Sequence, residues 1–370
     1  MIVFNEISQE LFLTEYWQKK PLLIKQAIPN FISPISPNEL AEISLEYVIE
    51  SRIIKGSTNK NKWSLNNGPF TQKTFSQLPS KDWTLLIQGL DRFVDVTHKL
   101  IENFDFIPRW RFDDVMASYA VSGGSVGPHF DYYDVFLLQS SGRRRWNLSS
   151  KNCIDDNYID DVPLKIMNVF EPEQTFEVSA GDLLYIPPKI AHHGISLDDE
   201  CITLSFGYRS YTNQEIVEST GNYDSLINEI EYYQDPTWNI GDHPGLITQS
   251  AIDNANKLSR ISPHDFACFA TKIDNIDLNI LQNFQFQTQS EEFDKNIKYL
   301  LHPSSKVAYT LLNKDVLMYI NGENILINDS NNESIANFCN NRQIDCKNSD
   351  IFSINLAKKL FQLGLLDKVI

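Results

Sequence analysis

Between about residue 110 and residue 208 the chain never sustains a helical pattern. It runs through short apolar stretches, Val115–Val121, Val135–Gln139, Arg144–Leu148, Phe176–Val178, Leu183–Ile186 and Cys201–Phe206, each set off by Gly, Pro, Asn or Asp. Short strands in regular succession, separated by turn residues, predict an antiparallel sandwich or barrel.

Helical signals lie on both sides. Ser8 can cap a run in which Leu11, Phe12, Tyr16 and Trp17 recur at helical spacing. Ser36-Pro37-Asn38-Glu39 is a capping box with proline at the first helical position. Trp83–Gln88 reads as a strand, and a helix follows through about 104. Beyond Tyr208, Thr212-Asn213-Gln214-Glu215 and Ser262-Pro263-His264-Asp265 open further helices. From about 300 the pattern mixes: Val307–Leu311, Val316–Ile320, an Asn321-Gly322 hairpin turn, Ile325–Ile327, then helices over Glu333–Asn340 and Ser353–Leu363. That closing pattern suggests a winged-helix module. The only low-complexity stretch is the Asn/Asp-rich Asn328–Asn332. A length of 370 residues accommodates two or three domains.

Apolar residues make up 42% and aromatics 12%, the composition of a folded chain. Lys and Arg number 32 against 48 Asp and Glu, a net charge of −16. Such a surface disfavours direct nucleic-acid binding and favours basic proteins as partners, although solubility alone explains it equally well. The N-terminal residues lack a basic, long-apolar signal pattern, and no apolar run approaches the ~20 residues of a membrane span. The five cysteines are scattered and form no C-x-x-C pair. This predicts reduced thiols and a cytoplasmic location.

The informative stretch is Gly123-Gly124-Ser125-Val126-Gly127-Pro128-His129-Phe130-Asp131. On an extended strand, residues two apart point to the same face, so His129 and Asp131 converge. A third donor is expected from a distant strand. His192 supplies it, 61 residues beyond Asp131 and just after the Pro187-Pro188 turn, with His193 as the competing candidate. Two histidines and a carboxylate on one side of a metal form the facial triad of non-haem Fe(II) oxygenases. In Arg143–Leu148, Trp146 and Leu148 mark the inner face, so Arg144 is expected to point inward with them. A buried guanidinium needs an anion. That anion is either an internal carboxylate or the far carboxylate of a bound dicarboxylic acid whose keto-acid end chelates iron. Arg144 lies 13 residues past Asp131, and a hairpin through Ser140-Ser141-Gly142 is expected to return it beside the metal.

These residues resemble the JmjC/cupin-type ribosomal oxygenases. The matching stretches are Gly123–Gln139 followed by Gly142–Trp146, together with Glu15–Leu23, Trp83–Gln88 and Phe106–Asp114. The likeness is greatest to the bacterial branch that hydroxylates an arginine of ribosomal protein L16. The resemblance implies an α+β chain: a double-stranded β-helix (JmjC/cupin) catalytic domain over 1–209 with its core at about 83–208, a helical dimerisation domain over 210–285 and a winged-helix-like domain over 286–370. It implies Fe(II) held by His129, Asp131 and His192, with 2-oxoglutarate and O2 as co-substrates and Arg144 on the distal carboxylate of 2-oxoglutarate. It also implies Asp114 and Tyr133 near the substrate guanidinium, with Met116 on the Asp114 strand face, and a homodimer acting on L16. Asp114 and Tyr133 read equally as an ordinary strand-end carboxylate and a core tyrosine. The acidic cluster Asp155-Asp156 and Asp160-Asp161 reads as a solvated loop or as a docking surface for a basic protein. Two other classes fit the residues: the same iron chemistry on histidine or methyl-lysine, and a non-enzymatic cupin-like binding module.

Overall fold

The computed structural model describes residues 2–57, 62–221, 229–239, 241, 243–313, 315–326 and 331–369. The chain divides into two compact units, the first formed by residues 1–104 and 112–209, the second by 105–111 and 210–370.

The first unit is built on two antiparallel sheets. One contains β1 (Leu22–Ile24), β2 (Ser51–Ser57), β3 (Lys62–Asn67), β4 (Trp83–Ile87), β5 (Val115–Ala120), β6 (Asp134–Ser141), β9 (Leu183–Ile186) and β11 (Cys201–Tyr208), in the order β1-β9-β6-β11-β5-β4-β2-β3. The other contains β7 (Arg143–Ser149), β8 (Gln174–Ser179) and β10 (Ala191–Ser196), in the order β10-β7-β8. This is the double-stranded β-helix that the family resemblance implies.

Val135, Leu137, Leu184 and Ile186 from the large sheet and Trp146, Leu148 and Val178 from the small one form the core between the sheets. β6 is buried on both faces because its even residues are covered as well. Phe12 and Trp17 pack on Phe136 and Tyr185 from the N-terminal segment, where α1 (Gln9–Glu15) is capped by Ser8. Each such buried aromatic contributes roughly 2–3 kcal/mol of apolar transfer. α2 (Pro37–Ile43) carries the expected Ser36/Glu39 capping box, and α3 (Gln72–Ser76) and α4 (Asp95–Leu100) are single short turns of helix.

Three sequence expectations are corrected. The first helix stops at Glu15, and Trp17 reaches the core from the turn after it. β6 and β7 belong to different sheets, so Ser140–Gly142 is a corner rather than a hairpin. Gly142 makes that corner at φ 63°, where an added Cβ would lie 2.9 Å from the Cys201 backbone. The strand β10 was also missed, because Ala191-His192-His193-Gly194 lacks the apolar signature that its ladder with β7 makes unnecessary.

In the second unit, α5 (Asn213–Glu218), α6 (Gln249–Ser259), α7 (Pro263–Ala270) and α8 (Asn275–Thr288) precede a small mixed region. That region holds β12 (Lys298–Leu301), β13 (Val307–Leu312), β14 (Asp315–Ile320), β15 (Glu323–Ile325), α9 (Asn332–Asn341), β16 (Gln343–Asp345), α10 (Ile351–Gln362) and β17 (Leu366–Val369). Its strands pair as β16-β12-β17 and β13-β14-β15, and Asn321-Gly322, both at positive φ, turn the β14–β15 hairpin. The expected strand end at Ile327 and residues 328–330 of the Asn/Asp-rich stretch lie outside the described residues. The segment 105–111 belongs with this unit because Trp110 packs on Tyr233, Trp238 and Phe266 while Arg111 Nε meets Asp235 at 2.7 Å with both side chains fully buried.

Candidate active site

The loop from Gly123 to Asp131 runs beside β10 and is tied to it at both ends. Gly123 N–H donates to the Ser196 carbonyl and Ser196 N–H to the Gly124 carbonyl, each at 3.0 Å. At the other end His129 and His192 form an isolated antiparallel bridge, and Lys189 N–H donates to the Asp131 carbonyl at 2.7 Å. His129 and Asp131 are therefore aligned by a bridge and a turn rather than by the continuous strand that their spacing suggested.

The donor atoms of His129, Asp131 and His192 all lie within 4.8 Å of one another, the only such cluster of three metal-ligating side chains among the described residues. Asp131 Oδ2 lies 3.9 Å from His129 Nε2 and 3.6 Å from His192 Nε2. Each imidazole spends its other nitrogen on a backbone carbonyl: His129 Nδ1 on Gly127 at 3.0 Å, His192 Nδ1 on Ile190 at 3.1 Å. A carbonyl only accepts, so both Nδ1 atoms carry the proton and both Nε2 lone pairs face the carboxylate. This second-sphere arrangement is the one that orients metal-ligating histidines. The donor set fits a divalent first-row metal with one face left open. Burial, then the neighbouring His129, pulls His192 down to about 4.

His193 does not join the cluster. It is buried on the opposite side of β10, its ring edge-on to Phe170 at 6.0 Å.

Arg144 is only 4% exposed. The alternation of β7 buries it with Trp146 and Leu148 while Arg143 and Arg145 face solvent. Its Nε reaches Cys201 Sγ at 3.4 Å, and its Nη2 is buried with no hydrogen-bond partner. Burial works to raise the Cys201 thiol, but the guanidinium outweighs it and holds the thiol below its usual value. The Arg144 guanidinium lies 5.5 Å from the Trp146 ring, and that ring is 5.8 Å from His192. One indole therefore spans the distance between the cation and the donor cluster. No carboxylate partners Arg144 among the described residues, so an anion from outside the chain fits the orphaned nitrogen.

Asp114 is buried just before β5 and accepts from Gln88 Nε2 at 2.6 Å and Gly89 N–H at 2.8 Å. Burial, then Asp113, raises its pKa. Tyr133 is 38% exposed, and the charges of Asp131 and Asp114 act on its hydroxyl. Asp131 first, then burial, holds the phenol well above its ordinary value. Met116, half-buried on β5, stands opposite Ser205 of β11.

Sequence reasoning missed Gln88, whose signal is a lone polar side chain closing the apolar Trp83–Ile87 run. It also missed Asp91, fully enclosed beside Asp114, with Oδ1 accepting from Val115 N–H at 2.8 Å.

Comparison with known proteins bears on this geometry. Residues 99–216 match the JmjC domain, and 282–367 match a ROXA-like winged helix. The chain is 35% identical to the ribosomal protein uL16 3-hydroxylase of Escherichia coli over 249 residues, 67% of this chain and 65% of that protein. It is 35% identical to a probable ribosomal oxygenase of Haemophilus influenzae over 252 residues, 66% of this chain and 59% of that one. The matched stretch thus spans under two thirds of either relative. Among solved structures, YcfD, a ribosomal oxygenase from Escherichia coli, superposes with a TM-score of 0.71 at 26% identity, covering 100% of this chain and 99% of that one. The same protein in complex with cobalt and 2-oxoglutarate superposes at 0.70, covering 98% of each chain, again at 26% identity. With two family models matched in the same order and a likeness to one solved structure running from end to end, the chain carries a JmjC domain followed by a ROXA-like winged helix and shares the fold of the ribosomal oxygenase YcfD.

Proposed function

We propose that the protein is an Fe(II)- and 2-oxoglutarate-dependent hydroxylase of an arginine in ribosomal protein uL16. The observation that carries this reading is the convergence of His129, Asp131 and His192 with both Nδ1 protons committed to carbonyls. The relatives' names, a uL16 3-hydroxylase and a ribosomal oxygenase bound to cobalt and 2-oxoglutarate, support the same chemistry and substrate.

His129, Asp131 and His192 would hold the iron. When bound, iron with 2-oxoglutarate and O2 supplies oxidative decarboxylation coupled to hydroxylation of an unactivated C–H bond. The chain's own contribution is positioning and exclusion of water. Arg144, buried and with a free donor, grips the far carboxylate of 2-oxoglutarate as a charge-assisted fork. Trp146 holds that cation at a fixed distance from the donor cluster. Asp114, oriented by Gln88 and Gly89, and Tyr133, under the charge of Asp131, face the substrate guanidinium, with Met116 flanking them. A carboxylate grip suits a cation better than a neutral imidazole, which favours arginine over histidine.

The proposal extends to the rest of the chain. The helical segment 210–285 serves a homodimer, the winged-helix-like part 286–370 contacts protein rather than nucleic acid, and the enzyme works in the cytoplasm. The net charge of −16 and five free cysteines support this reading. No described helix is long and apolar enough to cross a membrane.

Mass spectrometry of ribosomal proteins from cells with and without the gene tests the function. A one-oxygen mass gain on a single uL16 arginine, lost with the gene, is expected. Its appearance on a histidine, or its absence, would replace the substrate assignment.

A further inference from the structure

We propose that the cavity walled by Trp63, Met167, Phe170 and His193 is a second recognition pocket. It would seat an apolar or aromatic side chain of the basic substrate segment that carries the target residue. This rests on the functional reading above.

The cavity measures about 500 Å³. Trp63 comes from β3 and His193 from β10, while Met167 and Phe170 come from the excursion between β7 and β8. Pro128, which adjoins His129 in sequence, completes the wall, and the pocket lies on the face of β10 opposite the donor cluster. The lining mixes apolar side chains with polar groups. His193 is 6% exposed and makes only a ring-edge contact with Phe170. Trp63 Nε1 is buried without an acceptor. A buried polar group left unpaired is costly, so the orphaned Trp63 Nε1 beside this cavity is placed to donate to an incoming peptide carbonyl.

Charge selects the occupant. The same excursion, residues 151–173, carries six carboxylates against two lysines. Lys151 is engaged by Glu173 and Lys165 lies over Tyr158. Asp156, Asp160 and Asp161 are exposed around Ile159, which also lines the cavity. An acidic rim around a seat of mixed polarity fits a basic peptide.

Asn168 is exposed on the rim, so a large side chain there would fill the pocket from outside. The test is calorimetric titration of the full-length protein with a synthetic uL16 peptide bearing the target arginine. Asn168→Trp should weaken binding about tenfold or more, whereas Asn168→Ser, which leaves the cavity open, should bind like the unaltered protein. Replacing one peptide side chain flanking the arginine with alanine should cost as much, with no further loss in Asn168→Trp. Equal affinity for Asn168→Trp and the unaltered protein overturns the pocket and leaves the hydroxylase reading standing. A peptide that binds, senses Asn168→Trp and is never hydroxylated keeps the pocket and overturns the hydroxylase reading. A peptide that does not bind the unaltered protein overturns both.

Discussion

His129 and His192 face each other across a two-residue bridge in which each backbone N–H donates to the other's carbonyl, at 3.1 and 2.7 Å. Residues 63 positions apart are thereby locked by main chain before any ion arrives, and their rings stand 4.2 Å apart between centroids. The donor cluster is preorganised by backbone hydrogen bonding, so its side chains can be changed without unmaking the frame.

Replacing His192 or Asp131 with alanine should therefore leave the fold in place and abolish turnover. The loss should exceed the roughly 10–100-fold typical of removing a mere outer-sphere partner. Succinate formation measures the activity, and thermal melting checks the frame. Unchanged succinate formation would falsify the metal assignment.

Arg144→Met removes a buried cation whose Nη2 has no partner. Affinity for 2-oxoglutarate should fall about 10–100-fold, the worth of a charge-assisted hydrogen bond of about 1.5–3 kcal/mol. The melting temperature without co-substrate should hold or rise, since a buried charge gives way to an apolar chain of similar shape. Intact 2-oxoglutarate binding by equilibrium titration would refute the clamp.

Gly194 lies two residues after His192 on β10, where an added Cβ would sit 2.6 Å from the Trp146 ring. Gly194→Ala should force ring and strand apart at a cost of about 1–3 kcal/mol. Because Trp146 also spans to Arg144, both thermal stability and 2-oxoglutarate affinity should decline together. A melting curve that does not move would show that the ring has room to yield.

Asp91 gives a pH test. Burial, then the charge of Asp114, pushes its carboxyl up to about 7. The folded state therefore binds a proton that the unfolded state, with an ordinary pKa of about 3.9, has already released. Stability contributed by this group is present in acid and is lost as pH rises from about 4 through 7. Asp91→Asn keeps an acceptor for Val115 N–H and removes the titration. Its melting temperature relative to the unaltered protein should climb between pH 5 and pH 8. A constant difference across that range would count against the buried acid.

Much of this was legible in the residues. The strand succession, the capping boxes at Ser36 and Thr212, and the Asn321-Gly322 turn rest on local chemistry that tertiary context did not override. The alternation that buries Arg144 was also readable, because period two fixes a face once Trp146 marks it. What escaped had its cause in distant neighbours. β10 exists because β7 pairs with it, not because Ala-His-His-Gly favours extension. The separation of β6 from β7 into two sheets is a property of the whole two-sheet fold, and no local residue announces it. Asp91 matters only because Asp114 folds against it.

The large sheet takes half its strands, β1 to β4, from residues that precede 99, where the JmjC match begins. A polypeptide trimmed to the matched stretch would leave β5 as a raw, unzipped margin and strip Phe136 and Tyr185 of the rings that shield them from water. Such a fragment should clump rather than refold. The smallest autonomous piece of this fold must begin upstream of Phe12.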